Sequence, residues 1–527
     1  MNPALFEAYC GGAARRFYGS HFAEPEDRRR AVARAVRPLD PSIAAALSAQ
    51  NARLPPSPAR DANLARLRGG AAAAVTGQQV GLFLGPLFTL YKAASAIRVA
   101  RALTEESGQP VVPVFWLQVE DHDLAEIAHC DIRPHGEPLR LAMPADPAER
   151  ISLAHLCLPE EIAGCVATLT EQLRHLPHGE SHLERVARHY QPGRSWADAF
   201  AGLLAELFAE EGLVLIDPRD ATLAAAAAEV HHRAIAQADG ISDRLLARAA
   251  ELHTAGFATQ VHVRPGAPLS FYHPRGASGP RYRLEPCAEG YAEAGGDGVH
   301  RSAELLACLE RDPHCFSTSV LLRPLLQDSW LPTAAYIGGP AEVSYFAQLP
   351  PVYAAFDKQM PLIVPRASLR LLEEKLARRL HDLKLTAADL QRNEDELLAR
   401  AGAGAGLPGE EIQERLLAGF DLALEELRPQ LEAAGEGLDI AAEKTRATVA
   451  AAVAKLSSKY ESARLHRDRT LVAELRRMQQ WLFPGGIPQE RHYGMPYFAA
   501  RHGEAALLRA VLDNIVPFDP TVRDVVL

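Results

Sequence analysis

The sequence lacks the features that mark membrane, secreted and zinc-ribbon proteins. No apolar run approaches the ~20 residues of a membrane span, and the N-terminal stretch MNPALFEAYCGGAARRFYGS has no signal-peptide apolar core. The seven cysteines are odd in number and include no CxxC pair, so they indicate neither a disulfide framework nor a zinc ribbon. We therefore expect scattered thiols in a cytoplasmic protein.

An excess of basic residues is also missing. The net charge is −10, which argues against a general nucleic-acid or membrane-surface binder, because both need a basic face. Hydrophobic residues make up 48% and charged residues 23% of the chain, as in ordinary globular proteins. At 527 residues the chain is too long for one core, and two or three domains are expected.

Short apolar runs alternate with helical patterns over much of the chain. Five runs predict buried strands, at residues 71–77, 112–119, 212–218, 333–339 and 361–367. Helical periodicity is found at Leu87–Leu103, Asp198–Glu211 and Ala221–Ala238. This alternation predicts an α/β fold with a mainly parallel sheet, in which ligands bind at the carboxyl ends of strands.

Two stretches of this predicted sheet domain, residues 1–366, depart from the pattern. Residues 145–197 are expected to form a mostly helical insertion. Residues 257–301 contain short strand-like runs broken by proline and glycine, which predicts antiparallel hairpins.

The C-terminal third has a different character. Leucines spaced by three and four among many charged residues predict an antiparallel coiled-coil arm over 367–482, interrupted by a flexible stretch at 402–409. Such an arm usually buries its apolar stripe against a second copy, so a homodimer is the hypothesis. Residues 483–527, with a short helix at Gly503–Val516, are expected to pack back on the sheet domain.

A glycine-rich turn follows the first predicted strand. It carries Gly77, Gln78, Gln79, Gly81 and Gly85, and its spacing fits neither a P-loop nor a GxGxxG motif. Glycine lets the backbone approach a ligand, and neutral amides can bind a hydroxyl, carboxylate or phosphate. We predict a polar-ligand site; the alternative is a tight turn whose glycines serve packing alone.

An ionisable run follows the second predicted strand. It consists of Glu120, Asp121, His122 and Asp123. Glu126 and His129 are expected on the helix behind it. These groups could act as a general base, an amine anchor or metal ligands. Capping of the helix accounts for one aspartate, and metal binding is the weaker alternative because no third ligand stands at a diagnostic spacing.

The fourth predicted strand ends in a second glycine turn. Gly338 and Gly339 precede Pro340, and a helix begins near Glu342. The turn could bind an anion or only make the corner. Glu342 could pair with a substrate ammonium, or it could be a residue favoured by the helix dipole.

Three basic residues stand near these strand ends. Arg323 and Arg366 have apolar neighbours in the sequence, and a guanidinium suits a carboxylate ligand. The alternative for each is an internal salt bridge. Lys92 could reach the glycine-rich turn, although a solvated helix lysine is an equally good interpretation.

Several long stretches, taken in order, resemble one known family. They are VTGQQVGLFLGPLFTLYKA, VPVFWLQVEDHDLAEIAH, SVLLRPLLQD, AAYIGGPAEVSYFAQL and PLIVPRASLRLLEEK. They are similar to the cysteine-adding enzymes of bacillithiol biosynthesis. The resemblance implies a Rossmann-like core with connecting insertions and a coiled-coil domain used for dimerisation. It also implies a ligase that joins cysteine to the amine of glucosaminyl-malate, the last step of that pathway.

The resemblance gives the candidate residues specific roles. Arg323 and Arg366 would hold the two carboxylates of glucosaminyl-malate, and the acids at 120–123 would hold the ammonium of cysteine. His122 or Asp121 would take the proton from the substrate amine, with Asp123 beside them. The Gly-Gln-Gln turn would line the same cleft.

Amide formation from a free carboxylate needs activation, commonly by adenylation. A His-x-Gly-His turn would serve that step in class I synthetase-like enzymes, but Phe83–Pro86 stands at the comparable position without a histidine. The cofactor is therefore unknown, with ATP or ADP as the candidate. The alternative functions are a metal-dependent hydrolase or deacylase built on residues 120–123, and a non-catalytic nucleotide-binding scaffold.

Overall fold

The computed structural model describes residues 3–134, 136–144, 150–402, 407–435 and 437–527. The beginning of the expected helical insertion, 145–149, and residues 403–406 of the expected flexible stretch lie outside these ranges. The chain divides into two compact units. The α/β unit comprises the described residues of Met1–Arg370 and Glu490–Val525 with Leu527; the helical unit comprises those of Leu371–Gln489 with Val526.

A five-stranded parallel sheet forms the centre of the α/β unit. Its strands in chain order are β1 (Ala72–Gln79), β2 (Val111–Gln118), β3 (Val214–Ile216), β4 (Thr333–Gly338) and β5 (Leu362–Pro365). The order across the sheet is β5-β4-β1-β2-β3. Most of these residues are buried, because helices cover both faces, as parallel sheets require. The predicted α/β class and the five predicted strands are confirmed.

Helices surround this sheet. They are Pro3–Cys10, Pro25–Ala35, Pro41–Ala52, Pro58–Arg68, Phe88–Ser107, Leu124–Ile127, Glu161–Leu173, Gly179–His189, Trp196–Leu207, Ala224–Ala236, Ala238–Thr254, Ser302–Arg311, Arg323–Trp330, Pro340–Phe346, Pro350–Ala355, Pro496–His502 and Glu504–Asn514. Gln489–His492 forms a further short helix, and 3-10 turns occur at Arg15–Phe17, Leu82–Leu84, Leu153–His155, Ala221–Leu223 and Pro313–Cys315.

A second, mostly antiparallel sheet contains the predicted hairpins. Its strands are Phe316–Thr318, Ser270–Tyr272, Tyr282–Cys287, Gly290–Glu293 and Val299–His300, in that spatial order. A separate hairpin pairs His129–Ile132 with Leu139–Ala142. His129 is therefore on a strand, and its expected place on a helix is wrong: the helix that follows the ionisable run ends at Ile127.

The helical unit contains five α-helices. They are Glu374–Asp382, Glu394–Arg400, Gly409–Ala434, Leu438–Leu465 and Arg469–Leu482, with 3-10 turns at Ala387–Gln391 and Pro484–Gly486. The two long helices, Gly409–Ala434 and Leu438–Leu465, pack side by side, and Arg446 forms an ion pair with Asp421 between them. Gly435, after the first of them, and Gly437, before the second, have positive φ, which glycine adopts without strain.

The first part of the predicted arm differs from the expectation. The coiled-coil arm was expected to begin at residue 367, but Ser368–Leu372 is a strand, and two short helices and a 3-10 turn follow it before the two long helices. Strand Val522–Val526 is the last element of the chain. Within the part of the chain that the structure describes, no helix is long and apolar enough to cross a membrane.

Candidate active site

A cavity of 680 Å³ lies at the carboxyl ends of β1, β2 and β4, within the α/β unit. Parallel pairing sets Gly77 opposite Trp116 and Gln79 opposite Gln118, so the polar ends of neighbouring strands meet at one edge. β1 extends to Gln79. Gly77 therefore ends no strand but lies within one, as the predicted strand 71–77 had it, whereas the expected place of Gln78 and Gln79 in a turn is wrong. A Cβ atom on Gly77 would approach the Trp116 carbonyl oxygen to 3.1 Å, so this glycine serves close strand packing.

A buried ion pair forms the base of this cavity. Lys92 Nζ lies 2.5 Å from Glu342 Oε2 and donates to the Gly77 carbonyl and to Gln78 Oε1. Burial lowers the pKa of Lys92 despite the facing carboxylate. Burial alone would raise the pKa of Glu342, but the charge and hydrogen bond of Lys92, together with the hydrogen bonds from Tyr336 and Gly339, more than offset it and lower the pKa. The interpretation of Lys92 as a solvated helix residue is wrong: its side chain is 4% exposed.

Arg323 extends the same network. Its Nη2 donates to the hydroxyls of Tyr336 and Tyr345, and its Nη1 donates to Gln327. Tyr336 in turn donates to Glu342 Oε1 at 2.6 Å. Burial alone would lower the pKa of Arg323, but the two phenols and Glu342 more than offset it and raise the pKa. These hydrogen bonds fix the guanidinium at the cavity wall, with neutral groups as its direct partners.

Arg366 has a charged partner of its own. Its guanidinium forms two hydrogen bonds with Glu490, at 2.6 and 3.0 Å, and both side chains are buried. The internal salt bridge considered for Arg366 is thus present, although the residue also lines the cavity. Gly339 lines it as well and donates its N–H to Glu342 Oε2, whereas Gly338 packs against Glu342 and Tyr336.

The four residues of the ionisable run have separate partners. Glu120 is buried and accepts hydrogen bonds from the backbone N–H and the hydroxyl of Thr318. Asp123 is exposed and caps the helix Leu124–Ile127, as the capping alternative predicts. Asp121 lines the cavity and accepts a hydrogen bond from Gln79 at 2.9 Å. These carboxylates therefore do not converge on one point, as the ligands of a metal ion would.

His122 is the member of the run best suited to accept a proton. It lines the cavity, and its Nδ1 atom is buried without a hydrogen-bond partner among the described residues. Asp121 Oδ1 lies 3.7 Å from it. Burial, and next to it the charge of Arg281, lower the pKa of His122 below 6.5. The imidazole is therefore neutral at neutral pH, which is the form that a general base needs.

Arginines of the hairpin sheet line the side of the cavity that faces the ionisable run. Arg281 is buried; it donates to the carbonyls of Glu120 and Thr318 and lies 3.5 Å from Asp121. Arg283 pairs with Glu285 at 2.6 Å and keeps a side-chain exposure of 47%. This wall presents guanidinium groups to whatever occupies the cavity.

The charge of the cavity is opposite to that of the whole chain. The lining contains seven lysine and arginine residues, namely Lys92, Arg264, Arg281, Arg283, Arg323, Arg366 and Arg491. It contains three acids, Asp121, Glu126 and Glu342. Two further carboxylates, Glu285 and Glu490, pair with lining arginines from outside the lining. Among the described residues the cations therefore outnumber the acids by seven to five, in a chain whose net charge is −10, and this smaller local excess favours an anionic ligand.

A smaller cavity of 200 Å³ adjoins the first. Gly81 and Gly85 line it together with Gln78 and Gln79, so the glycine-rich segment contributes to both cavities. Gly85 has a φ of +64°, and a Cβ on Gly81 would come within 2.9 Å of the Gly85 Cα. Both glycines are therefore required by the backbone of this wall.

Family models match almost the whole chain. The N-terminal Rossmann-like domain of the bacillithiol biosynthesis protein BshC matches residues 3–367, and the C-terminal coiled-coil domain of BshC matches residues 369–522. The chain belongs to the BshC family. The resemblance stated from five sequence stretches is thereby confirmed, as is the fold that it implied.

The similarity to relatives named "putative cysteine ligase BshC" extends over most of this chain and over most of each relative. The protein from Koribacter versatilis is 37% identical over 88% of this chain and 85% of its own length. The protein from Salinibacter ruber is 34% identical over 96% of this chain and 93% of its own length. The protein from Geobacillus thermodenitrificans is 30% identical over 94% of this chain and 93% of its own length. The chain is thus a ligase of the bacillithiol biosynthesis family, which favours an enzyme over a scaffold.

In this BshC-family chain the structure brings together most, but not all, of the residues singled out in the sequence. Those lining the larger cavity are Gly77, Gln78, Gln79, Lys92, Asp121, His122, Glu126, Arg323, Gly339, Glu342 and Arg366; Gly81, Gly85 and His129 line the smaller one. Glu120, Asp123 and Gly338 are outside the lining of the larger cavity. Sequence reasoning missed the hairpin arginines, although Arg281 and Arg283 are two residues apart in extended chain and so share a face.

Proposed function

We propose that this enzyme adds L-cysteine to the amine of glucosaminyl-malate through an amide bond, as the last step of bacillithiol biosynthesis. The observation that carries the proposal is the cation-rich cavity with the neutral His122 on its wall. Glucosaminyl-malate has two carboxylates, which suit a wall of guanidinium groups. Its amine must lose a proton before it attacks a carboxyl carbon.

The residues divide this work among them. Arg323, with the hairpin arginines Arg281 and Arg283, provides the positive field for the malate carboxylates. Arg366 is already paired with Glu490 and only lines the same wall. His122 accepts the proton of the amine at Nε2 when its own proton is on Nδ1, the ring nitrogen that is buried and faces Asp121. Asp121 is held by Gln79 next to His122, where its charge stabilises the imidazolium that forms.

Activation of the cysteine carboxyl requires an energy source, for which ATP or ADP is the candidate. The turn at Leu82–Leu84 is buried and presents neither of the histidines that an adenylating turn uses. The residues at this position therefore do not fit that chemistry.

Binding and product formation test this function directly. Calorimetry with glucosaminyl-malate, cysteine, ATP and ADP, singly and in pairs, should show binding of the sugar acid, and mass spectrometry should detect the amide product. Arg283→Ala should weaken sugar-acid binding about 10- to 100-fold, as expected for one hydrogen bond to a charged group. Arg509→Ala, an exposed arginine of the same unit that does not line the cavity, is the control. Binding of nucleotide without any response to sugar acid or cysteine would contradict the proposal.

We also propose that the helical unit forms a homodimer. The long helices expose apolar side chains, with Leu422 and Ile440 both 65% exposed. Exposed leucine and isoleucine along paired helices are typical of coiled-coil seams that a further helix covers.

Charge at this surface should therefore dissociate the dimer. The double variant Leu422→Glu, Ile440→Glu should elute as a monomer in size-exclusion chromatography with light scattering, whereas the unaltered protein should have the mass of a dimer. Val36→Glu, at a 41% exposed residue of the α/β unit, should remain dimeric. A double variant that keeps the dimer mass would place the interface elsewhere.

A further inference from the structure

The two cavities lie next to each other and share one wall. They have five lining residues in common, namely Gln78, Gln79, Phe88, Glu126 and Arg491. The larger compartment, at 680 Å³, falls within the range of about 300–1,000 Å³ found for small-molecule sites, and the smaller, at 200 Å³, falls below it. A ligase that joins a large substrate to a small one needs compartments of such unequal size.

The shared wall carries one charge of each sign. Glu126 accepts a hydrogen bond from Gln79 Nε2 at 2.9 Å, which leaves its other carboxylate oxygen available. Arg491 makes no hydrogen bond or ion pair with any residue that the structure describes; its guanidinium carbon lies 5.7 Å from the centre of the Phe88 ring. Both side chains are exposed, so each charge is accessible to a ligand.

The other charged groups of the smaller cavity are less available. Asp131 is buried and forms two hydrogen bonds of 2.8 Å with Arg140. Burial lowers the pKa of His492 below 6.5, so its ring is neutral at neutral pH. Glu126 and Arg491 are therefore the pair that a zwitterion would meet, with opposite charges at the boundary between the compartments.

We propose that the smaller cavity binds an α-amino acid with a small side chain, its ammonium on Glu126 and its carboxylate on Arg491. This inference rests on the proposed ligase function and assigns cysteine to the smaller compartment and the sugar acid to the larger one. Because Arg491 lines both cavities, a carboxylate bound to it faces the larger compartment, where the acceptor amine and His122 are. Gln78 and Gln79 then separate the two substrates, which explains why neutral amides end β1.

Separate affinities for the two substrates test this assignment. Arg491→Ala and Glu126→Gln should each raise the KM and the calorimetric Kd for cysteine about tenfold or more, with the affinity for glucosaminyl-malate changed less than twofold. Arg491→Lys should bind cysteine more tightly than Arg491→Ala but less tightly than the unaltered protein. A lysine keeps the positive charge but lacks the paired N–H donors with which a guanidinium binds a carboxylate. Arg509→Ala should behave as the unaltered protein. Serine and alanine should compete with cysteine, whereas phenylalanine and tryptophan should not.

The possible failures are distinguishable. If the protein forms the amide product but Arg491→Ala loses sugar-acid affinity and keeps cysteine affinity, Arg491 belongs to the larger compartment and the inference is overturned while the ligase function stands. Tryptophan binding as tightly as cysteine would overturn it as well. If the unaltered protein binds neither substrate and forms no product, the proposed function fails and the inference fails with it.

Discussion

Replacing His122 with asparagine is expected to lower kcat for amide formation about 10²- to 10⁴-fold, the usual contribution of a general base. Asparagine has a similar size and keeps a polar atom at the cavity wall, but it cannot take a proton from the amine. The KM values for both substrates should change little, because the arginines and Glu126 that surround the ligands are untouched. Steady-state rates at saturating concentrations of both substrates provide the measurement.

The pH dependence of activity gives a second test of His122 as the general base. The pKa of His122 is lowered from 6.5 by burial and by Arg281, and only the neutral imidazole can act as the base. Activity should therefore be constant as pH falls from 8 to 6.5 and decline below that, with the acid limb at a lower pH than a solvent-exposed histidine would give.

The same substitution at an exposed histidine provides the control. In His122→Asn the acid limb should disappear along with most of the rate, whereas His253→Asn, at an exposed position on helix Ala238–Thr254, should retain both. A His122 variant with an unchanged kcat and an unchanged acid limb would assign the base to another group, Asp121 being the next candidate.

The parallel sheet could be predicted from the sequence because each of its strands is marked by residues that are adjacent in the chain. Runs such as Ala72–Val75 and Leu362–Val364 are apolar over consecutive residues, which a strand buried on both faces requires. The polar groups at the ends of β1, β2 and β4 could then be placed together, since parallel strands align their carboxyl ends. Gln79 and Asp121 meet the same cavity for this reason, whereas Lys92 and Arg323 reach it from the helices Phe88–Ser107 and Arg323–Trp330.

The partners of these groups could not be predicted, because they come from distant segments. Glu490 neutralises Arg366 from 124 residues away, and nothing near either residue in the sequence indicates the other. Arg491 follows Glu490 directly and reaches the boundary of the two cavities. A segment expected only to pack back on the sheet domain thus contributes to the site.

The residues of the ionisable run are adjacent in the sequence but are separated by the fold. Four adjacent ionisable residues suggested a single functional cluster, yet backbone geometry sends their side chains to different partners. Glu120 is held by Thr318, Asp123 caps a helix, and only Asp121 and His122 line the cavity. Adjacency in sequence therefore overestimated the size of the cluster.

Replacing Glu342 with alanine is expected to lower the free energy of unfolding of the α/β unit by about 3–5 kcal/mol, the cost of breaking a buried ion pair. Lys92, whose side chain is 4% exposed, would remain without a carboxylate partner. The Tyr336 hydroxyl and the Gly339 N–H would also lose their hydrogen-bond acceptor. Urea unfolding, followed by the fluorescence of the buried Trp116 and Trp330, measures the change. Glu26→Ala breaks exposed pairs with Arg29 and Arg30 and should cost less than about 1 kcal/mol.

The pH dependence of the Glu342→Ala variant identifies Lys92 as the cause. Burial already lowers the pKa of Lys92 from 10.5, and the loss of the carboxylate that opposes this effect should lower it further. The unfolded chain, with its lysine near 10.5, then binds more protons than the native state, so stability rises with pH in that interval. The deficit of the variant should accordingly shrink between pH 7 and 10, and Lys92→Met combined with Glu342→Ala should recover much of it at pH 7. A deficit that is the same at every pH would show that the lost hydrogen bonds of Tyr336 and Gly339, rather than an unpaired lysine, account for the instability.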